Sequence, residues 1–163
     1  MSSHPNGKPL AQSFAVNVQI IHLQADGLSH TDSLIQPPFR GNCFNWVLGH
    51  ILVGRNSALK VLGAAPVWAK DREAKYQTGS DPIDQGSGAL ALEALLADLD
   101  ESQARLTTAL EEATAERLAE AIPFRGNERS RGEALAGLHW HETYHLGQLE
   151  LLRQLAGKND AII

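Results

Sequence analysis

The stretch RGEALAGLHWHETYHLGQLELLRQLA, residues 131–156, predicts one long amphipathic helix near the end of the chain. Its apolar residues recur at helical spacing, so one face is suited to burial. That face carries Leu135, Leu138, His145, Leu149 and Leu152. Ser130 precedes the stretch and Glu133 follows three positions later, which is the pattern of an N-terminal capping box. Gly157 indicates where the helix ends.

Three more stretches show the same periodicity, and residues that stop helices separate them. The predicted helices cover roughly residues 10–34, 43–62 and 88–114. The pair Pro37-Pro38 limits the first helix, Asn42 is expected to cap the second, and Gly63 is expected to end it. Strand signals are nearly absent, because alternation is weak and no Asn-Gly or Asp-Gly turn lies between apolar runs.

Four amphipathic helices with apolar faces to bury predict an all-α fold, a four-helix bundle. The connection between the second and third helices, residues 63–87, is long enough to cross the bundle and is of a length that is often functional. A short extra turn is expected over residues 115–121. We expect residues 1–8 to form a flexible tail and residues 9–163 a single domain.

The composition argues against several classes of partner. The formal net charge is −5 and no dense Lys/Arg run occurs, so we expect no nucleic acid partner. No apolar run approaches the ~20 residues of a membrane span, and the polar N-terminus does not resemble a secretory signal. The one cysteine, Cys43, cannot form an intramolecular disulfide, so a cytoplasmic location is the simplest expectation. Cys43 is a weak nucleophile candidate and is better explained as a small buried residue.

Two of the seven histidines, His141 and His145, are one helical turn apart and project to the same side of the last helix. Burying two imidazoles in an apolar bundle without partners is costly, and a divalent metal ion removes that cost. A third ligand must come from another element. His50 is the best candidate, because it shares an inward face with Trp46 and Val53.

The segment His141-Glu142-Thr143-Tyr144-His145 also fits the H-E-x-x-H pattern of zinc metalloproteases, in which the glutamate is a general base. That interpretation requires a third ligand downstream. Few residues follow His145, and Glu150 is too close for the spacing that such enzymes use. A metallohydrolase is therefore the less favoured alternative.

Residues 45–50 (NWVLGH) and 141–148 (HETYHLGQ) together resemble the DinB/YfiT-like family of small metal-binding four-helix bundles, and the resemblance extends over roughly residues 10–157. It implies an up-down-down-up order of helices. It also implies one divalent metal ion held by His50, His141 and His145, with the remaining coordination positions left to water or substrate. Many members of that family form homodimers, and some are thiol S-transferases that use bacillithiol, mycothiol or glutathione.

These considerations predict a metal-dependent thiol S-transferase of stress or detoxification metabolism, with a non-enzymatic metal-binding or stress protein as the alternative. Three imidazoles suit Zn, Ni or Fe nearly equally. The residues expected to line a substrate pocket are Trp46, Tyr144 and Gln148. Glu142 is either a catalytic base, a partner of the metal ligands or a partly exposed helix residue without a further role. The arginines expected either to meet an anionic substrate or to be solvated are Arg55, Arg125, Arg129 and Arg131.

Overall fold

Four long helices, joined by three short helices and one hairpin, make up the computed structural model, which describes residues 7–84 and 88–162. The elements are α1 Lys8–Ala25, α2 His30–Ser33, α3 Phe44–Leu62, α4 Lys70–Ala74, α5 Leu92–Glu112, α6 Ala115–Ala119, β1 Ala121–Phe124, β2 Asn127–Ser130 and α7 Arg131–Leu155. In the described residues, no helix combines the length and the apolar character needed to cross a membrane.

The long helices form a bundle in which α5 and α7 each contact both α1 and α3. This arrangement confirms the predicted all-α fold. Asn17 of α1 donates a hydrogen bond to Thr143 of α7, and further along both helices Gln24 donates to the Leu146 carbonyl. The two helices therefore run in the same direction, as the first and last helices of an up-down-down-up bundle do. That order stays a prediction, which this pairing favours.

The first helix is shorter than predicted, because the chain breaks it at Gly27. Helix α1 ends at Ala25, and Gly27 adopts a left-handed conformation with φ of 72°. Ser29 then starts α2 with a capping box in which Asp32 is the reciprocal partner. The prediction of one helix over residues 10–34 is wrong, since a left-handed glycine and a new cap outweigh the continuing apolar periodicity.

The hairpin of β1 and β2 was not predicted. The strands are antiparallel with Phe124 opposite Asn127, and the two turn residues between them are Arg125 and Gly126, with φ of 49° and 81°. Two successive positive φ values are typical of a type I′ turn. The turn was missed because Arg125 occupies the position at which Asn or Asp is usual.

Several helix ends match the sequence signals closely. Gly63 terminates α3 in a left-handed conformation, and the capping box of Ser130 and Glu133 starts α7, as predicted. The N-cap of α3 is Cys43 rather than Asn42. Lys8 is already helical, so the end of the expected tail belongs to α1, and residues 1–6 lie outside the described residues.

Candidate metal centre

Helices α3 and α7 bring three histidines together inside one end of the bundle. The ligand atoms of His50, His141 and His145 all lie within 4.8 Å of one another. The Nε2 atoms of His141 and His145 are 3.1 Å apart. Two nitrogens that each lie about 2.1 Å from one zinc ion are separated by about 3.4 Å in tetrahedral geometry, only slightly more than the observed distance. The pair thus has the spacing of two ligands of a single ion.

A backbone carbonyl fixes the orientation of His50. Its Nδ1 lies 2.8 Å from the carbonyl oxygen of Tyr76, which can only accept, so Nδ1 carries the proton and donates. The Nε2 atom of the neutral ring then offers its lone pair. Trp46 stacks on a face of the His50 ring, with ring centroids 4.8 Å apart and planes 11° apart. The ring is therefore held in one orientation before any ligand arrives.

A side chain orients His145 in the same way. Its Nδ1 lies 2.6 Å from Oε1 of Gln148, an acceptor, so the free lone pair is again on Nε2. Hydrogen bonds of this kind set the tautomer of metal-binding histidines. Gln148 was predicted as a pocket residue, and the structure gives it this orienting contact as well.

The backbone of α3 allows Tyr76 to approach because residue 49 is glycine. A Cβ atom on Gly49 would lie 2.1 Å from the Tyr76 ring, far inside van der Waals contact. Tyr76 is fully buried, and its hydroxyl donates to Asn45 Oδ1. The glycine therefore makes room for the residue whose carbonyl holds His50. Gly54, the other glycine flanking His50, has no atom within 4 Å of such a Cβ.

The surroundings keep all three imidazoles neutral. Burial is the main cause that lowers the pKa of His50 and His145. Burial, together with the proximity of His145 and His50, lowers the pKa of His141 to about 4. Neutral imidazole is the form that binds metal. The Nε2 atoms of His141 and His145, 3.1 Å apart, either share a proton or bind a common cation, and the donor set fits a divalent ion of the Zn, Ni or Fe type.

Glu142 lies between the two α7 histidines in sequence but takes part in a different contact. Both of its carboxylate oxygens accept hydrogen bonds from Arg55 of α3, at 2.7 and 2.8 Å. Arg55 also donates to Ser102, Gln103 and the Phe14 carbonyl, so each of its five N–H groups has an acceptor. Glu142 is only 3% exposed. The interpretation of Glu142 as an exposed helix residue, and of Arg55 as an anion-binding or solvated residue, is wrong.

A cavity of ≈ 260 Å³ opens beside His145. Its walls include Trp46 and Gln148, two of the three predicted pocket residues, together with Phe39, Leu151 and Leu152. Tyr144 is not among its lining residues. It is 57% exposed and meets the edge of the His145 ring from outside, with centroids 5.4 Å apart.

Cys43 is fully buried at the start of α3. Its Sγ lies 3.4 Å from the Ile83 carbonyl, and burial raises the pKa of the thiol. A thiolate nucleophile requires the opposite environment, partly exposed and with a lowered pKa. Cys43 is therefore a packing residue, as the sequence favoured.

Sequence reasoning missed two features that shape the site. One is the presence of Tyr76, and the other is the pairing of Arg55 with Glu142. Tyr76 follows α4 in the long connection, where no periodicity indicates which side chain turns inward. Its contact depends on the carbonyl rather than the side chain, and no sequence pattern reports that. Gly49 was the available signal, since a glycine in mid-helix indicates close approach of another group.

Comparison with known proteins places this arrangement in a family. No curated protein matches the chain. A solved structure, that of a conserved protein from Enterococcus faecalis, shares the fold with a TM-score of 0.72 and 14% identity, over 91% of this chain and 95% of that one. The model of the DinB superfamily matches residues 21–149, a segment that begins in α1 and includes all three histidines. The chain therefore belongs to the DinB superfamily.

Proposed function

We propose that the protein binds one divalent metal ion through the Nε2 atoms of His50, His141 and His145. The observation that carries the proposal is the convergence of these three nitrogens, two of which are oriented by hydrogen bonds to Nδ1. Membership of the DinB superfamily supports it.

We further propose that the site serves chemistry on a small molecule, as a metal-dependent thiol S-transferase. Structural zinc sites usually have four protein ligands, whereas catalytic sites have three and leave a position open. A metal ion bound in such a site lowers the pKa of a coordinated thiol and polarises an electrophile. The chain itself contributes orientation of His145 through Gln148 and a largely apolar cavity beside His145.

The second candidate is a metal-binding protein without enzymatic activity. It is favoured by the pairing of Glu142 with Arg55, because the carboxylate that neighbours the ligands in sequence is then not free to move a proton. The same pairing removes the support for an H-E-x-x-H metallohydrolase, in which this glutamate would be the base.

Metal analysis of the full-length protein tests the first proposal. After purification under metal-replete conditions, we expect about one ion per chain by elemental mass spectrometry. The variants His50→Ala, His141→Ala and His145→Ala should each lose it. His22→Ala is the matched control, because His22 lies on α1 and bonds Asp100 at the surface. A wild type without metal, or a His50→Ala variant with unchanged affinity, contradicts the proposed site.

A thiol screen separates the two candidates. The metal-loaded protein is incubated with monochlorobimane and bacillithiol, mycothiol or glutathione, and conjugate formation is followed by fluorescence. We expect one thiol to react faster than its uncatalysed rate, with loss of the acceleration after chelation and in His141→Ala. If metal-loaded protein accelerates none of the three, the transferase proposal fails and the non-enzymatic candidate is favoured.

We also propose a homodimer, on the strength of the resemblance to the family. Sedimentation equilibrium of the purified protein should give twice the monomer mass of 17.6 kDa. A mass equal to that of the single chain contradicts this proposal and leaves the metal site unaffected.

A further inference from the structure

One cavity of the molecule adjoins the histidine cluster. It has a volume of ≈ 260 Å³, and His145 forms part of its wall. Trp46, which stacks on His50, forms another part. The volume is just below the roughly 300–1,000 Å³ of pockets that enclose drug-sized ligands, so the cavity suits a molecule of about one ring. A molecule bound there would lie beside the proposed metal ligands.

Most of the cavity wall is apolar, and part of that apolar surface is exposed to solvent. The apolar residues of the wall are Pro37, Phe39, Trp46, Val47, Leu151 and Leu152. Phe39 and Leu151 are 68% and 62% exposed. Exposed apolar side chains that border the same cavity form a surface suited to the apolar part of a small ligand.

The charged and oriented polar groups of the same wall are hydrogen-bond donors. Arg40 lines the cavity, and within residues 7–84 and 88–162 no carboxylate forms an ion pair with it. The Oε1 atom of Gln148 accepts from His145, so the amide NH₂ group is what Gln148 offers to a ligand. Among the described residues, no Asp or Glu lines the cavity. A ligand with negatively charged acceptor oxygens matches these donors.

The segment between α2 and α3, which forms one side of the wall, is anchored at both ends. Gln36 donates a hydrogen bond to the carbonyl oxygen of Ile83, and Sγ of Cys43 lies 3.4 Å from the same oxygen. Within the segment, Pro37 is buried, and a Cβ atom on Gly41 would lie only 3.1 Å from its ring. The arginine of this segment is therefore carried by backbone that is tightly folded and tied to the rest of the protein.

We propose that this cavity binds the anions of small apolar organic acids and that Arg40 is its specificity residue. Arg40 and the amide NH₂ group of Gln148 bind the acidic group of the ligand. The apolar body lies against Phe39 and Leu151. The proposal rests on the proposed function, because it takes the cavity beside the metal-binding histidines as the substrate site, and it adds a substrate class to that function.

A ¹H–¹⁵N chemical-shift titration of the full-length protein tests the preference for an anion. The probes are phenylacetate and its neutral counterpart phenylacetamide, and the signal followed is the side-chain amide of Gln148. We expect phenylacetate to bind about fivefold more tightly than phenylacetamide. Arg40→Gln should weaken phenylacetate binding about threefold, as for an exposed ion pair, and leave phenylacetamide binding unchanged.

Arg129→Gln is the matched control for charge. Arg129 is also exposed, and it lines a different cavity, beside the β1–β2 hairpin. The Arg129 variant should bind phenylacetate as the wild type does. Equal affinities of the wild type for the acid and the amide, or equal losses in the Arg40 and Arg129 variants, overturn the proposal.

Leu151→Ser tests the apolar part of the cavity. It should weaken both probes by a similar factor, about threefold, because apolar contact with the ring is lost. Leu155→Ser is the matched control, since Leu155 is exposed one turn further along α7 and does not line the cavity. Binding of neither probe, or equal losses in the Leu151 and Leu155 variants, contradicts the assignment of the ligand to this cavity.

Each titration is performed on chelator-treated and on zinc-loaded protein, which keeps this proposal distinct from that of the metal site. If the protein takes up no zinc, the metal site fails, and the titration of the chelator-treated protein still decides the role of Arg40. If the acid is preferred only in the zinc-loaded form and Arg40→Gln binds it as the wild type does, the metal ion binds the carboxylate. The metal site then stands, and the role of Arg40 fails.

Discussion

Two polar clusters join α3 to α7 in the interior, and they differ in how completely their groups are paired. In the first, all five N–H groups of Arg55 have acceptors, and both carboxylate oxygens of Glu142 accept from Arg55. In the second, His50, His141 and His145 direct nitrogens at one another without a protein group between them. Buried polar groups are normally all hydrogen-bonded. The first cluster is thus complete as it stands, whereas in the second the Nε2 atoms of His141 and His145 have each other as partner, and a metal ion can bind there in place of the shared proton.

Because of this difference, we expect the first cluster to affect the stability of the protein and the second to affect metal binding, although both lie on the same pair of helices. A buried ion pair stabilises little relative to apolar residues of similar size, but losing one partner is very costly. Neutral imidazoles directed at one point form a ready-made donor set for a metal ion. Variants of the first cluster should therefore change stability first, and variants of the second should change metal affinity first.

The largest effect is expected from Arg55→Met, which leaves the Glu142 carboxylate buried without a cation. The free energy of unfolding in urea should fall by about 3–5 kcal/mol. Arg117→Met is the matched control, since Arg117 pairs with Glu120 at the surface, and its loss should cost less than ~1 kcal/mol. Equal losses in the two variants would contradict the distinction between buried and exposed pairs.

The double variant Arg55→Met/Glu142→Leu sharpens the same point. Removing both charges leaves no uncompensated carboxylate, so most of the lost stability should return. If the free energy of unfolding of the double variant is lower than that of Arg55→Met, the uncompensated charge of Glu142 is not the cause of the loss, and this explanation is wrong.

A smaller loss is expected when the room for Tyr76 is filled. In Gly49→Ala the new Cβ would overlap the Tyr76 ring, so unfolding free energy should fall by about 1–3 kcal/mol. Metal affinity should fall too, because the Tyr76 carbonyl orients His50. Gly54→Ala is the control: no atom lies within 4 Å of its Cβ, and alanine should stabilise the helix by up to about 1 kcal/mol. Matching losses in the two variants would show that close approach at residue 49 is unimportant.

In the second cluster, Gln148→Leu removes the acceptor for Nδ1 of His145. Loss of such a contact typically lowers metal affinity about 10–100-fold, while unfolding free energy of the metal-free protein should change by less than ~1 kcal/mol. Competition with a chromophoric chelator measures the affinity. Gln154→Leu, at an exposed position on the same helix, is the control. Unchanged affinity in Gln148→Leu would mean that His145 is oriented by packing alone.

The two clusters were not equally predictable from the sequence. His141 and His145 lie on one helix, and their spacing alone puts both imidazoles on one side. His50 was identified by its inward face. The pairing of Arg55 with Glu142 depends on how α3 and α7 are aligned lengthwise, and side-chain periodicity carries no information on that alignment. The role of a charged residue within an apolar helix face therefore cannot be predicted until the position of the neighbouring helix along it is known.

The fold shows the same limit. Helices with clear end signals, such as Gly63 and the Ser130–Glu133 pair, were predicted to within a residue at those ends. The first helix was extended too far because apolar periodicity continues past Gly27, whose left-handed conformation ends the helix. The hairpin was missed because its turn uses Arg125 where a smaller polar residue is usual.

The smallest expected effect tests whether the histidine cluster depends on the overall stability of α7. Ser130→Ala removes the side chain that accepts from the Glu133 backbone N–H, and loss of such a cap costs about 1 kcal/mol. The histidines lie more than two turns further along the helix, so metal affinity should equal that of the wild type. Ser130→Thr keeps the cap hydroxyl and is the control for stability. Reduced metal affinity in Ser130→Ala would mean that metal binding depends on the overall stability of α7. It would contradict the proposal that the two clusters affect stability and metal binding separately.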